Sequence, residues 1–440
     1  MKRILLSLAT LAAFALSVSA QQKIYVCEGF RYDVHEIQST DDIVFSNDGL
    51  EVSIGDQETA PLYGPNGAAY DIEEIDSITF AEPQYPRIDI KYSGTTATVD
   101  IAPSVKGVTY TINGANVTLT STTTTEEYLY SLSGTSSNGS LVINGDYKLS
   151  VELAGLDLTN PNGPAIDIEC GKRIGVILKK GTVNTLADGK DGDHKGAFYT
   201  EGHPEFEGKG TLNVKGYTRH AISAKEYLQF KKSTGVINIL GAVNDGIHCG
   251  KGKQNDDNSH FIIDGGEINV SNVGKDCIDA DDYGCMYING GVINLNVSAS
   301  DGAGLKCDSI IRMTDGEINI NVTGPLSEGI RTNYAAYFNG GYININVVSD
   351  GSKGIRAKKC TKTTDMVLNG GFLYFNGTDA DINVAGKTYV SDGTACAGIR
   401  ADRDYSQTAG DITVTLTSTD AEALVVKGTK STTGGTFEVK

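Results

Sequence analysis

The sharpest local feature that could carry chemistry is Lys275-Asp-Cys-Ile-Asp-Ala-Asp-Asp. Read as an alternating strand, it turns Ile278 and Ala280 inward, so Asp279 and Asp281 project from one outer face. The segment is one copy of a recurring motif: Asp245-Gly-Ile-His-Cys, Asp276-Cys-Ile-Asp-Ala, Ala303-Gly-Leu-Lys-Cys, Glu328-Gly-Ile-Arg-Thr, Lys353-Gly-Ile-Arg-Ala and Ala397-Gly-Ile-Arg-Ala. Stacking successive copies at the strand spacing of roughly 4.8 Å sets Asp245 beside Asp276 and Asp308 beside Asp281. Carboxylates in adjacent rows at that separation can share a Ca²⁺, which relieves their mutual repulsion. The predicted calcium ligands are therefore Asp245, Asp276, Asp279, Asp281 and Asp308, with Asp301 as a further candidate. The competing reading is a solvated acidic face neutralised by Lys275 and Lys306.

The same outward row then changes sign. After Asp279 come Lys306, Arg331, Arg356 and Arg400, with Lys353, Lys358, Lys359 and Lys362 nearby. Guanidinium groups in line on a rigid sheet suit the carboxylates of an acidic sugar chain, because Arg offers paired donors. The alternative is an internal charge ladder against Glu328, Asp402 and the aspartates. Asn238, Asn269, Asn294, Asn319 and Asn344 form a second row, read as side-chain amides bonded to one another. His220 and His248 stand apart in the sequence and are read as structural, and no Ser-His-Asp order emerges.

What positions these rows is a repeat. Glycine-led segments return at Gly210, Gly235, Gly266, Gly291, Gly316, Gly341, Gly371, Gly410 and Gly435, several times at a spacing of 25 residues. Each opens an alternating strand such as Gly316-Glu-Ile-Asn-Ile-Asn-Val, and a third strand such as Met286-Tyr-Ile or Tyr337-Phe completes the unit. Three short strands per repeat make one coil of a parallel β-helix, and a coil buries its apolar side only by stacking on the next. With weaker copies at Gly155 and Gly181 the series predicts about eleven coils and a rod of about 50 Å. No leucine consensus supports a leucine-rich repeat, and the period is too short for a propeller.

The expected organisation is a signal peptide at 1–20, a small β-rich module at 21–86, an N-terminal cap of the solenoid at 87–150 and the helix proper at 151–440. Lys2-Arg3, the apolar stretch Ile4 to Leu16 and Val18-Ser19-Ala20 carry the first assignment and predict export to the periplasm, cell surface or medium. No cysteine follows that cleavage site, which argues against a lipid anchor, and no other apolar run is long enough to span a bilayer. The short module holds Asp42-Ile-Val-Phe and Asp76-Ser-Ile-Thr-Phe. The longer strands after Arg87 are suited to covering the open end of a stack. A net charge of −18, or −20 once Lys2 and Arg3 are removed, excludes nucleic acid as a natural partner and favours bound cations. There are 21 Tyr and no Trp, so sugar stacking falls to tyrosine. Of the 8 cysteines, Cys249 and Cys307 fall in one inward row with Ala224, Ala280, Thr332, Ala357 and Ala401. That row admits only small side chains, and the two thiols lie too far apart to pair.

Tyr130-Ser-Leu-Ser-Gly with Gly139-Ser-Leu-Val-Ile, Leu153-Ala-Gly-Leu-Asp-Leu-Thr-Asn with Gly163-Pro-Ala-Ile, and Gly181-Thr-Val-Asn-Thr-Leu-Ala-Asp resemble exported bacterial carbohydrate-binding β-helix proteins of the clostridial cellulose- and pectin-binding type. The resemblance covers about residues 88–440. It implies an all-β, right-handed parallel β-helix like that of pectate lyases, polysaccharide binding, and calcium held by aspartates. The segment 21–86 lies outside it and looks like exported proteins of the Bacteroidetes. Three functions follow. The first is a non-catalytic binder of plant cell-wall or acidic glycans such as pectin, polygalacturonate or cellulose, through Lys306, Arg331, Arg356 and Arg400. The second is a calcium-dependent polysaccharide lyase with Lys306 or Arg331 as base, and the third a surface adhesin or structural rod. Few long loops interrupt the repeat, chiefly Lys251–Ser259, Lys359–Asp365 and Thr378–Ala395, so the predicted face is an open groove and binding is preferred over cleavage.

Overall fold

The computed structural model describes residues 87–190, 196–250, 260–281, 284–359 and 370–440. From the first 86 residues it describes the segments 22–28, 30–37, 42–45, 51–55, 68–71, 75, 77–81, 83 and 85–86. The signal-peptide assignment at 1–20, the loop Lys251–Ser259, Lys362 and Asp76 therefore lie outside the described residues. The chain divides into two compact units, Met1–Pro86 and Arg87–Lys440. It is all-β, with no helix among the described residues.

The first unit holds two antiparallel sheets. In one, Gln22–Glu28 pairs with Arg31–Ile37 and with Ser77–Thr79. In the other, Glu51–Gly55 lies between Asp42–Phe45 and Ala68–Asp71. The two related pieces of this module thus sit in different sheets.

The second unit begins with two antiparallel pairings, Arg87–Ser93 with Thr96–Ile101 and Val108–Asn113 with Ala115–Ser121. Each pair hands over to a parallel ladder, through Leu129–Ser136 and Gly139–Asn144 respectively. From Leu129 onward the strands pair in parallel, each repeat on the next. Three ladders run side by side, because each 25-residue repeat supplies three strand segments. In the first, Ile222, Ile247, Ile278, Leu305, Ile330, Ile355 and Ile399 are successive partners. In the second, Ile237, Ile268, Ile293, Ile318 and Ile343 are aligned. In the third, Phe230, Ile263, Ile288, Met313, Phe338 and Phe375 are aligned. All of these side chains are buried in one continuous core, as the alternation requires.

The glycine that opens the second segment sits where the chain turns between ladders with a left-handed backbone. Gly316 has φ of 100°, and a Cβ there would stand 2.9 Å from the carbonyl oxygen of Gly290 in the preceding repeat. No other residue meets both conditions cheaply. The inward row Ala224, Cys249, Ala280, Cys307, Thr332, Ala357, Ala401 is continuous in register and buried. Cys249 and Cys307 are free thiols two strands apart with Ala280 between them.

Candidate functional sites

The first ladder carries the charged motif. Its outward row runs His248, Asp279, Lys306, Arg331, Arg356, Arg400 on consecutive strands. Three residues before each lies Asp245, Asp276, Ala303, Glu328, Lys353 or Ala397, and most of these are followed by glycine. At Gly329 an added Cβ would lie 2.6 Å from the carbonyl oxygen of Gly354, so the strands pack too closely there for any side chain. Glu328 and Arg331, three apart, meet on one side, Arg331 Nη1 donating to Glu328 Oε2 at 3.2 Å.

From this register an ion-pair chain is built. Lys306 Nζ donates to Asp279 Oδ1 at 2.9 Å, and Arg331 Nη2 donates to Asp276 Oδ1 at 3.2 Å. Arg356 bridges Glu328 Oε1 at 3.0 Å and Asp402 Oδ2 at 3.2 Å, while Arg400 Nε donates to Asp402 Oδ1 at 2.9 Å. The Arg331 side chain is 7% exposed and those of Arg356 and Arg400 are 20% and 21%. The basic stripe is thus a row of cations already paired with carboxylates. Against the upward push of burial, Lys358, Arg331 and Arg356 hold the Glu328 carboxyl below its ordinary value. Burial works against the charge of Lys306, yet Asp279 and Asp308 raise its ammonium above its ordinary value. Arg331 is raised likewise by Glu328 and Asp276 against burial. Both groups are thus held as cations paired with carboxylates.

The predicted calcium ligands separate. Asp245, Asp276 and Asp279 bring carboxylate oxygens within 4.8 Å of one another, and all three are buried. Asp281 and Asp308 do not join that group; Asp308 accepts a hydrogen bond from Asn333 Nδ2. Asp301 lies 3.7 Å from Arg331 Nη1 with its side chain 77% exposed. Burial, then the charges of Asp279 and Asp276, push the Asp245 carboxyl up to about 6. Burial would raise Asp279 too, but the nearby His248 imidazole, 3.6 Å away, and the Lys306 charge bring it down to about 2.

The reading of His220 and His248 as separate needs correction. Their rings stack with centroids 4.3 Å apart and planes 11° apart, both beside Asp245. Position 220 lies one strand before Asp245 and position 248 three residues after it, so the pairing crosses repeats. A comparison within aligned columns cannot find it.

Two further outward faces complete the inventory. On the second ladder, Asn238, Asn269, Asn294, Asn319 and Asn344 each donate to the asparagine one strand back, Asn238 to Asn213, at 2.8–3.4 Å. A parallel row, Asn321, Asn346 and Asn383, does the same from Asn296 onward. The two rows floor a groove of about 600 Å³. On the third ladder the aligned outward residues are Tyr287, Arg312, Tyr337 and Tyr374. Tyr337 and Tyr374 stack at 4.8 Å and 8°, with the Arg312 guanidinium 5.1 Å from the Tyr337 centroid. Phe372 extends the strip beside Tyr374, under the guanidinium of Arg403 at 4.8 Å. The strip escapes a reading centred on charge. Its signal is the Tyr after Met286 recurring as Tyr337 and Tyr374 in the same column.

Residues 113–440 match the family of carbohydrate-binding domain-containing proteins. The chain belongs to that family. The matched region of this carbohydrate-binding domain contains the ion-pair chain, the asparagine groove and the tyrosine strip. A solved structure, the gadolinium derivative of a polysaccharide lyase-like protein from C. thermocellum, aligns over 79% of this chain and 99% of its own, at 15% identity and a TM-score of 0.30. No curated protein matches the chain. Within the carbohydrate-binding domain, no helix of the described residues is long and apolar enough to cross a membrane.

Proposed function

We propose that this is an exported, non-catalytic polysaccharide-binding protein whose repeats are the coils of a right-handed parallel β-helix, and that the glycan lies along the tyrosine strip of the third ladder. The stacked pair Tyr337 and Tyr374 carries the reading. Two half-exposed rings, stacked face to face with planes 8° apart and repeated along the ladder, offer a ridge of apolar ring edges and phenol hydroxyls to a sugar chain. Arg312 and Arg403 lie over neighbouring rings and supply hydrogen-bond donors to hydroxyl groups at its margin. Such a ridge along a ladder suits an extended chain bound through several weak subsites.

The charge distribution argues for a neutral glycan such as cellulose over polygalacturonate. The chain carries −18 overall, and Lys306, Arg331, Arg356 and Arg400 already face carboxylates. A polyuronate would have to displace those partners while approaching a like-charged surface. Binding without cleavage is supported by Lys306 and Arg331 being engaged with carboxylates of the chain itself.

Retention on insoluble cellulose and on pectin, measured with Tyr337→Ala, Tyr374→Ala and Arg356→Ala, tests the reading. Loss of either ring should weaken retention on the neutral glycan by roughly 5- to 10-fold, the effect of a central aromatic contact, with Arg356→Ala close to wild type. Equal retention of both tyrosine variants, or release of unsaturated sugar product from pectin, would overturn it.

A further inference from the structure

The group around Asp245 has a donor set that oxygen-seeking calcium does not call for. His220 is fully buried, and neither of its ring nitrogens makes a hydrogen bond; His248 Nδ1 is likewise buried without one. A desolvated imidazole that satisfies neither nitrogen carries a cost that folding tolerates when something else takes the lone pair. Both Nδ1 atoms lie near the same carboxylate. His220 Nδ1 stands 3.3 Å and His248 Nδ1 3.6 Å from Asp245 Oδ2, and His248 Nδ1 is also 3.6 Å from Asp279 Oδ2.

We infer that His220, Asp245, His248 and Asp279 form a binding site for a divalent first-row transition ion, with zinc the best match. Two imidazole nitrogens and two carboxylate oxygens around a four-coordinate ion, at bond lengths of 2.0–2.2 Å, stand roughly 3.3–3.6 Å apart. The three separations above fall in that range. Calcium takes six to eight oxygens at longer distance, and here the oxygens are too few. Asp276 Oδ1 accepts from Ala303 N at 2.8 Å and from Arg331, its Oδ2 lies between Lys275 and Lys306 at 3.6 and 4.0 Å, and Asp281 and Asp308 stand outside the group. Nitrogen donors from imidazole instead favour the borderline ions.

The surroundings hold the ligands as a metal site requires. Asp245 Oδ1 accepts from the backbone N of Asp276 at 3.1 Å, and its Oδ2 accepts from Asn244 Nδ2 at 3.1 Å. Lys306 Nζ takes Asp279 Oδ1 at 2.9 Å, which leaves Oδ2 toward His248. The His248 side chain, 13% exposed, is the open side by which an ion enters. His220, His248 and Asp279 come from consecutive strands, so a bound ion would pin adjacent repeats together.

The test uses the full mature chain, freed of metal with EDTA and then passed down a desalting column after mixing with ZnCl₂ or CoCl₂ in a large excess of CaCl₂. Elemental analysis should find one zinc per chain, and the cobalt form should show the visible absorption of a four-coordinate site. His220→Ala and His248→Ala should each lower zinc affinity at least about tenfold, while Asp281→Asn and Asp308→Asn leave it unchanged. Should His220→Ala fail to fold by circular dichroism, His248→Ala at the open edge decides the matter. Calcium retained in place of zinc, zinc held equally by both histidine variants, or loss only in Asp281→Asn or Asp308→Asn would each overturn the assignment. No glycan enters the readout, so its failure leaves the polysaccharide reading untouched.

Discussion

Asp402 stands at the end of the ion-pair chain, receiving Arg400 Nε at 2.9 Å and Arg356 Nη2 at 3.2 Å, with Lys427 Nζ at 3.3 Å. Burial would raise its carboxyl, but the Arg400 hydrogen bond and the charges of Arg356, Arg400 and Lys427 bring it down to about 2. An aspartate in the unfolded chain protonates near its ordinary value of about 4. Between these limits the unfolded state binds more protons, so the contribution of Asp402 is complete above about pH 4 and is lost as the pH falls toward 2. Chemical denaturation from pH 6 down to pH 2 should therefore show wild type more stable than Asp402→Asn at the upper end, with the gap closing below about pH 4. A gap that stays constant with pH would mean the carboxylate is not held by these cations. The order Asp279, Lys306, Arg331, Arg356, Arg400 was legible in the sequence because each follows the inward Ile or Leu of the same recurring motif. Its neutralisation was less so: Glu328 lies three positions before Arg331, and simple alternation sends those two to opposite faces. In the structure the two side chains nonetheless meet, Arg331 Nη1 donating to Glu328 Oε2 at 3.2 Å.

At the scale of the element, each strand of the first ladder presents one small inward residue two positions after a large one. Ile278 precedes Ala280, and Leu305 precedes Cys307. Cys307 is fully buried and donates its S–H to the carbonyl of Gly284 at 2.9 Å, and burial raises its thiol well above the ordinary value. The column therefore treats cysteine as a small, inert side chain. Cys307→Ala should change stability by about 1 kcal/mol or less. Cys307→Leu forces extra methylenes between Ala280 and Thr332 and should cost about 1–3 kcal/mol. Denaturant titration of the two variants separates the cases, and a tolerated leucine would show that the row has unfilled space. This row and the asparagine ladder could both be read from aligned repeats, since each is one residue type or size recurring at one position. The stacked His220 and His248 could not, because they occupy different columns.

For the second unit as a whole, stability follows from each repeat burying its apolar residues against its neighbours. In an array of that kind the free energy is approximately a sum of repeat and interface terms, and removing one whole unit leaves the remaining interfaces intact. Deleting residues 292–316 joins Gly291 to Glu317, the residue that pairs with Val292 in the next strand. Ile268 would then meet Ile318, Ala280 would meet Thr332, and Tyr287 would meet Tyr337. Asp279 would face Arg331 in place of Lys306, so the charge sequence also survives. The shortened chain should fold, melt in a single cooperative transition and keep its tyrosine strip. Deleting only 292–304 removes half the period and shifts every later strand out of step with its neighbour, which turns alternating side chains to the wrong face. That variant should aggregate or remain unfolded by circular dichroism. The two deletions differ in length by 12 residues and favour opposite outcomes on any account based on loss of mass alone, since the longer one is the one expected to fold. If the 25-residue deletion unfolds as readily as the shorter one, the repeats are not interchangeable, and the stack must depend on contacts particular to residues 292–316.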